Sequence, residues 1–353
     1  MSEYSVSRMK EEQQSEVEAL MAASFEKSLA SIFFLHPPTT LVVTYEERVV
    51  AGLNLDVFQV NKRVKMGYLG WLYTAREHRG KGLAGLLLEA AIPFLRDLGC
   101  TDMAGCIEGD NPASFKQLER SGFCRMSLGG QIKRFGVGLF KLYHHASRFF
   151  DMGYFLWHRS LDGSAQKPHP EGGKALAITV AANLLLTLPI ALGWNIPAYL
   201  GLSLVQGKRA LVWGVIFSII VRTASQAAVA HRAKVKVVYL GWDTAYLAAL
   251  LAPLLFGLPF PAPGNVYIKG SAWSLEDEAG LLARMALVSN TVLSLLVVLI
   301  PNAYTFLLLI LDTLFFFYPF CGFNASRVKR GGRRARLLSL LLLLACSIFL
   351  LLY

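Results

Sequence analysis

Past Lys174 the chain runs in apolar stretches of about 20 residues, and no other property constrains it as much. A helix of that length matches the hydrocarbon core of a bilayer. The stretches fall near 175–194, 210–230, 280–300, 303–322 and 337–353. Between the second and third lies LGWDTAYLAALLAPLLFGLPFPAPGNVYIKG, whose prolines and glycines rule out one long helix. A broken or re-entrant segment is expected there, its freed backbone groups buried in protein. The reading for 175–353 is an all-α polytopic membrane domain of about five to six spans. A hydrophobic content of 54% and a mean hydropathy of +0.44 agree with a chain that lies partly in lipid.

Charge divides the chain at the same place. Met1–Lys174 carries 21 Lys and Arg against 19 Asp and Glu, whereas Ala175–Tyr353 carries 14 against 5. The net charge of +11 therefore sits mostly in the apolar half, where loop cations orient spans. Those of His231–Lys236, the Lys269 loop and Arg327–Arg336 fall on the side of the N-terminal half, so no nucleic-acid partner is expected. MSEYSVSRMKEEQQSEVEALM is too polar for a signal peptide. The expectation is an integral protein of the cell (inner) membrane with a cytoplasmic N-terminal domain. Cys100, Cys106, Cys124, Cys321 and Cys346 show no CxxC spacing, which implies neither a zinc knuckle nor a disulfide framework.

Residues 4–135 alternate strand and helix patterns, an α+β arrangement. A strand near Tyr4–Met9 precedes a helix over Glu11–Phe25; TTLVVTY and VVAGLNLDVFQV read as strands joined at Glu46, Glu47 and Arg48, and MGYLGWLYT as the next. REHRGKGLAG then opens an amphipathic helix with Leu83, Leu86, Leu87, Ala90, Phe94 and Leu98 on one face, bent at Pro93 and stopped by Gly99. TDMAGCIE follows as a strand, NPASFKQLERSGF as a helix, and CRMSLGGQIKRF as a closing strand. Residues 136–174 read as an amphipathic interfacial helix, rich in aromatics, and then a Pro/Gly-rich linker.

RGKGLA, Arg79–Ala84, sits where a strand passes into a helix. Consecutive N–H groups at a helix N-terminus attract anions, glycine lets a pyrophosphate approach the chain, and Arg79 and Lys81 add positive charge. This R-x-x-G-x-A, followed by a helix, a strand, Asn111-x-x-Ser114 and a Gly122-Phe123 pair, resembles the GNAT acyltransferase superfamily over residues 4–135. The resemblance implies a mixed, twisted sheet with flanking helices, splayed between MGYLGWLYT and TDMAGCIE to admit the pantetheine arm. It implies acetyl-CoA or another acyl-CoA as co-substrate. Leu72, Tyr73 and Thr74 would meet the thioester and pantetheine amides; Arg79, Gly80, Lys81, Gly82, Leu83 and Ala84 would hold the pyrophosphate; Asn111 would touch the cofactor. Where many members carry a tyrosine seven residues after the asparagine, this chain has Leu118, so the usual general acid is absent. Tyr73, Glu77 and Glu108 are the catalytic candidates, with His78 and Cys106 near the same region.

The apolar half is similar in motif order to the site-2 protease family, over about 175–330. Its H-E-x-x-H-A position is taken by RTASQA, its Pro/Gly-rich loop by PLLFGLPFPAPGNVYIKG, and its third-ligand segment by PFCGFNASRV. Every chemical position is replaced: Arg222 and Gln226 stand for the histidines, Thr223 for the glutamate, Asn324 for the aspartate and Ala325 for the glycine. His231 is the one histidine after residue 169, so two-histidine zinc chemistry is impossible and no metal is expected. Arg222, Gln226 and Asn324 are expected to converge as a polar network between helices, or to line a cavity for a transmembrane peptide or lipid. Asp312 is a partner for Arg222 or Arg284.

Two functions follow. The first is a membrane-tethered N-acyltransferase that moves an acetyl or other acyl group from acyl-CoA to an amine, on a membrane-associated peptide or lipid acceptor. The second is a non-catalytic acyl-CoA sensor or membrane-peptide-binding pseudoprotease.

Overall fold

The computed structural model describes residues 4–149, 151–164, 167–194, 207–270, 272–318 and 321–352. By packing, the chain divides into two units: Met1–Ile107 with Ala113–Arg148 and Phe155–His169, and Glu108–Pro112 with Phe149–Tyr154 and Pro170–Tyr353.

The first unit is built on a sheet of seven strands, β1 (Tyr4–Arg8), β2 (Thr40–Tyr45), β3 (Arg48–Asn61), β4 (Val64–Thr74), β5 (Asp102–Glu108), β6 (Cys124–Arg125) and β7 (Tyr154–Ser160), in the order β1-β2-β3-β4-β5-β7-β6. The first four pair antiparallel, and β5 runs parallel to β4, which gives the mixed sheet that the sequence implies. Helix α1 (Gln14–Ser24) buries Val17 and Met21 against Met9, Val42, Val49 and Tyr73. Helix α2 (Leu83–Asp97) packs near Gly67, where a Cβ would lie 2.4 Å from Leu95 Cδ1. The missing side chain lets helix and strand approach closely. Helices α3 (Pro112–Arg120), α4 (Leu128–Phe135) and α5 (Gly138–His145) follow.

Three expectations are corrected here. The buried stripe of α2 is Leu83, Leu87, Leu88, Ala91 and Leu95, while Leu86 faces outward. Apolar side chains flank both edges of the stripe, so periodicity alone left its rotation open. The expected closing strand CRMSLGGQIKRF holds only two strand residues, because Ser127 caps a helix by accepting from Gly130 N at 3.2 Å. The expected interfacial helix over 136–157 is the short α5 followed by β7, whose Phe155, Leu156 and Trp157 are buried in the sheet core.

The second unit is helical: α6 (Gly172–Leu186), a single turn α7 (Leu188–Ala191), α8 (Lys208–Arg232), α9 (Tyr246–Phe256), α10 (Leu275–Leu299), α11 (Ala303–Leu314), α12 (Asn324–Arg330) and α13 (Gly332–Leu352). Among the described residues α8, α10 and α13 are long and apolar enough to cross a membrane, by length and composition. They expose Trp213, Phe217, Leu295, Leu299, Leu341 and Leu351, side chains suited to a hydrocarbon solvent. The stretches expected as spans near 175–194 and 303–322 are shorter helices. Thr187 Oγ1 bonds back to Asn183 O at 2.8 Å just before Pro189, and α11 tightens into a 3-10 turn at Phe315–Phe317. Residues 195–206, and Pro319 and Phe320 of PFCGFNASRV, lie outside the described residues.

The expected broken segment is present. Helix α9 ends at Gly257 with φ of 62°, and the chain then runs without regular structure to β9 (Asn265–Ile268), which pairs antiparallel with β8 (Val237–Leu240). Its buried backbone finds partners in side chains. Asn183 bonds both Ala262 N and Ala262 O, Tyr239 donates to Pro263 O, and Arg222 donates to Gly264 O at 2.7 Å. Irregular backbone that is buried persists only where such groups are satisfied.

Candidate functional site

In the first unit the site begins with a mismatch in β4. Its register to β3 passes from Leu69↔Leu55 to Trp71↔Asn54, which leaves Gly70 as an extra residue. A Cβ there would lie 2.0 Å from Phe34 Cζ, so any larger residue requires the Phe34 ring to move. The β4–β5 ladder stops at the same level, with Leu69↔Gly105 as its last pair. Beyond it Leu72, Tyr73 and Thr74 stay paired to β3 and are not part of the ladder to β5. The ladder ends at the level where the family resemblance implies a splay. A glycine inside an apolar strand is the visible signal of the bulge against β3.

The chain leaves Thr74 through a 3-10 turn, Arg76–His78, and enters RGKGLA. Arg79 Nε donates to Thr74 O at 3.2 Å, which ties the turn to the strand end. Gly80 and Gly82 adopt φ of 77° and 80°, left-handed values that a side chain would strain. A Cβ at either would meet nothing within 4 Å, so the cradle is open on that side. The first α-helical bond of α2 is Leu86 N to Gly82 O at 3.1 Å, so the amides of Leu83, Ala84 and Gly85 precede the helical ladder. Lys81 and Arg79 are exposed beside them. Amides, cations and a bare backbone together fit a diphosphate.

The catalytic candidates are placed differently. The Tyr73 side chain is buried in the α1 core, its hydroxyl donating to Asn54 Oδ1 at 2.9 Å, and burial pushes its pKa well above the phenol range. Asn54 is held in turn by donating to Phe34 O at 2.8 Å. Glu77 is exposed on the turn. His78 Nδ1 is engaged with Tyr4 OH at 3.0 Å. Leu118 is buried, and the carbonyl of half-buried Cys106 accepts from Arg148 at 3.1 Å. Glu108 and Asn111 belong to the second unit. Glu108 accepts from Arg330 at 3.1 and 3.3 Å, and Asn111 N donates to Glu108 O at 3.1 Å. Burial pushes the Glu108 carboxyl up, opposed by Arg330.

Residues 4–123 match the acetyltransferase (GNAT) family. The N-terminal part is a GNAT domain. It is 36% identical over 95 residues to N-alpha-acetyltransferase 30 of Schizosaccharomyces pombe, a match that covers 26% of this chain and 63% of that protein. The chain thus spans less than two thirds of the curated relative that the GNAT domain resembles. Among solved structures, the NatC complex bound to Gag peptide and CoA is 19% identical with a TM-score of 0.34, covering 45% of this chain and 99% of that one. PaiA N-acetyltransferase from Thermoplasma acidophilum in complex with coenzyme A is 12% identical with a TM-score of 0.32, covering 45% and 99%. None of these relatives bears on the site-2 protease resemblance, which rests on the order of motifs outside the GNAT domain.

The polar positions of that second half do converge. Arg222 donates to Asp312 through Nε at 2.8 Å and Nη2 at 3.1 Å, and Gln226 Nε2 donates to Asn324 Oδ1 at 3.0 Å. Asn324 donates to Asp312 Oδ2 and to Asn290 Oδ1, both at 3.1 Å. All five side chains are buried, and the network ties α8, α10, α11 and α12 together. Of the two partners considered for Asp312, it pairs with Arg222.

Proposed function

We propose that this protein is a membrane-tethered N-acyltransferase that transfers an acetyl or other acyl group from acyl-CoA to an amine. One observation carries the reading: an open, doubly glycine-bent cradle at the N-terminus of α2, next to a strand whose ladder to β5 ends at Leu69, within residues that match the GNAT family. Arg79–Ala84 would hold the pyrophosphate, and the backbone of Leu72–Thr74 would bond the pantetheine arm and orient the thioester. The neutral amine attacks the thioester carbonyl carbon, a C–N bond forms, the C–S bond breaks and CoA leaves as thiolate. The amine's surplus proton passes to a base, for which Glu108 and exposed Glu77 are the candidates. α8, α10 and α13 would anchor the chain in the inner membrane with the GNAT domain cytoplasmic, and anchoring favours acceptors at the membrane surface through effective concentration. An acceptor that is a membrane peptide or a lipid amine fits this arrangement.

A second reading, acyl-CoA sensing without turnover, is favoured by one observation: Leu118 is buried where a general acid is usual, and the Tyr73 hydroxyl is committed to Asn54. Purified full-length protein in detergent, given labelled acetyl-CoA and an amine panel, separates the two. Transfer of label above a Gly82→Glu control supports the enzyme; CoA binding without any transfer overturns it in favour of the sensor.

A further inference from the structure

Residues 121–150 carry Arg125, Lys133, Arg134, Lys141 and Arg148 and neither Asp nor Glu. The first unit gathers part of this charge on one face. The β3–β4 turn holds Lys62 and Arg63, and Asn61 Oδ1 accepts from Arg63 N and Val64 N, both at 2.9 Å. Asn61 Nδ2 donates to Arg134 O at 3.2 Å and Phe135 O at 3.0 Å, which fastens that turn to the end of α4. At the start of α4, Ser127 N donates to Lys167 O at 3.0 Å. The three segments border an open recess of about 760 Å³, with Lys62, Arg63, Lys133, Arg134, Val137 and Lys167 in its lining. Among the described residues no carboxylate lines it. Arg134 is paired with Asp102 and Asp162 at 2.7 and 2.6 Å, while Lys62, Arg63, Lys133 and Lys167 are exposed.

Apolar side chains stand beside these cations. Ile132 is 55% exposed, Val137 89% and Phe140 64%, values that core residues of a soluble domain do not have. They sit around one turn: Gly136 N donates to Ile132 O at 2.9 Å, and Phe140 N to Val137 O at 3.3 Å. Gly138 seats the start of α5 on β3, since a Cβ there would collide with Val60 O, and Val137 is left facing outward.

Apolar side chains on a short helical turn, flanked by lysine and arginine, suit the boundary between headgroups and acyl chains of an anionic bilayer. A soluble acidic partner would match the cations and leave Val137 and Phe140 in water. The same chain carries three helices long and apolar enough to cross a membrane.

We propose that this face of the GNAT domain docks on anionic phospholipid. Lys62, Arg63, Lys133 and Lys167 meet the phosphate groups, and Ile132, Val137 and Phe140 enter the acyl boundary. Lipid charge then holds the domain in addition to its tether. The inference rests on the membrane anchoring given above and is independent of acyl transfer.

The test is hydrogen exchange of residues 132–141 in the full-length protein, reconstituted in phosphatidylcholine nanodiscs with or without phosphatidylglycerol. Phosphatidylglycerol is expected to slow exchange there, and salt at about 1 M, where the Debye length is about 3 Å, to erase the difference. Each cation near an anionic surface shifts docking about fivefold, so Lys62→Gln/Lys133→Gln/Lys167→Gln should weaken it on the order of a hundredfold and restore the exchange seen without phosphatidylglycerol. Val137→Ser/Phe140→Ser should lose the protection with every cation in place. Equal exchange in the two bilayers, or protection unchanged in either variant, overturns the inference. Protection that appears in detergent and grows with protein concentration assigns the face to a second copy and overturns it as well. Protein that does not enter nanodiscs overturns the anchoring, and the inference falls with it.

Discussion

Arg222 and Asp312 meet 90 residues apart in sequence, two nitrogens of the guanidinium on the two oxygens of the carboxylate, with both side chains excluded from solvent. Removing one partner leaves the other charge buried and uncompensated, which costs about 3–5 kcal/mol. Asp312→Asn is therefore expected to lower the unfolding midpoint of the detergent-solubilised protein sharply. The double variant Arg222→Met/Asp312→Leu is expected to recover part of that loss, because no charge is stranded. Equal losses in the single and double variants would show that the pair's hydrogen bonds to Gly264 and Asn324, rather than its charges, hold the helices.

Tyr73→Phe separates chemistry from packing at a residue where sequence alone permits either. Its hydroxyl donates to Asn54 in the α1 core. Loss of that bond is expected to cost about 1 kcal/mol of stability and to leave kcat within a few-fold of wild type. A kcat drop of about a hundredfold or more, the scale of a lost general acid, would restore Tyr73 to the catalytic group.

Asp102 sets an acid limit on the GNAT domain. Burial alone would raise its pKa, but His158 Nε2 at 2.6 Å, Arg134 at 2.7 and 3.0 Å and Thr101 Oγ1 at 2.7 Å outweigh burial and lower it. A carboxyl whose folded pKa is depressed stabilises the fold above its unfolded value, and that stability is lost as pH falls through the folded one. Hydrogen exchange of the β5 and α4 amides should accelerate relative to the rest of the domain as pH drops below about 4, after correction for intrinsic rates. In Asp102→Asn the protection should be lower at neutral pH and depend less on acidification, the remainder coming from Asp162, which also pairs with Arg134.

Local chemistry explains which of these features were legible in advance. RGKGLA, the strand before it and the helix after it are contiguous, and glycine, arginine and apolar spacing announce them within about 30 residues. Arg222 and Asp312 were visible as charges in apolar runs, where the need for a partner is itself a signal. YFLW was ambiguous because an aromatic run suits both a membrane interface and a buried strand, and β7 owes its place to pairing with β6, which no local pattern specifies. Ser127 outweighed the strand-like residues of SLGGQIKRF by capping a helix. Arg327 and Arg330 read as orienting cations, and their carboxylate partners lie 217 and 222 residues away.

Glu108 remains the base candidate with a perturbed environment, and its titration gives the sharpest kinetic test. Burial pushes its carboxyl above the usual range and the charge of Asp110 adds to this, while Arg330 and Arg327 oppose it; Tyr267 and Cys321 are the other titratable groups around it. A base must be ionised to accept the amine proton, so kcat/KM should fall as pH drops through this raised pKa. Arg330→Gln removes the largest opposing charge and should move that acidic limb to higher pH, whereas Glu108→Gln should abolish the limb and most of the rate. A limb that persists in Glu108→Gln at wild-type position assigns the base elsewhere, and Glu77→Gln then faces the same measurement.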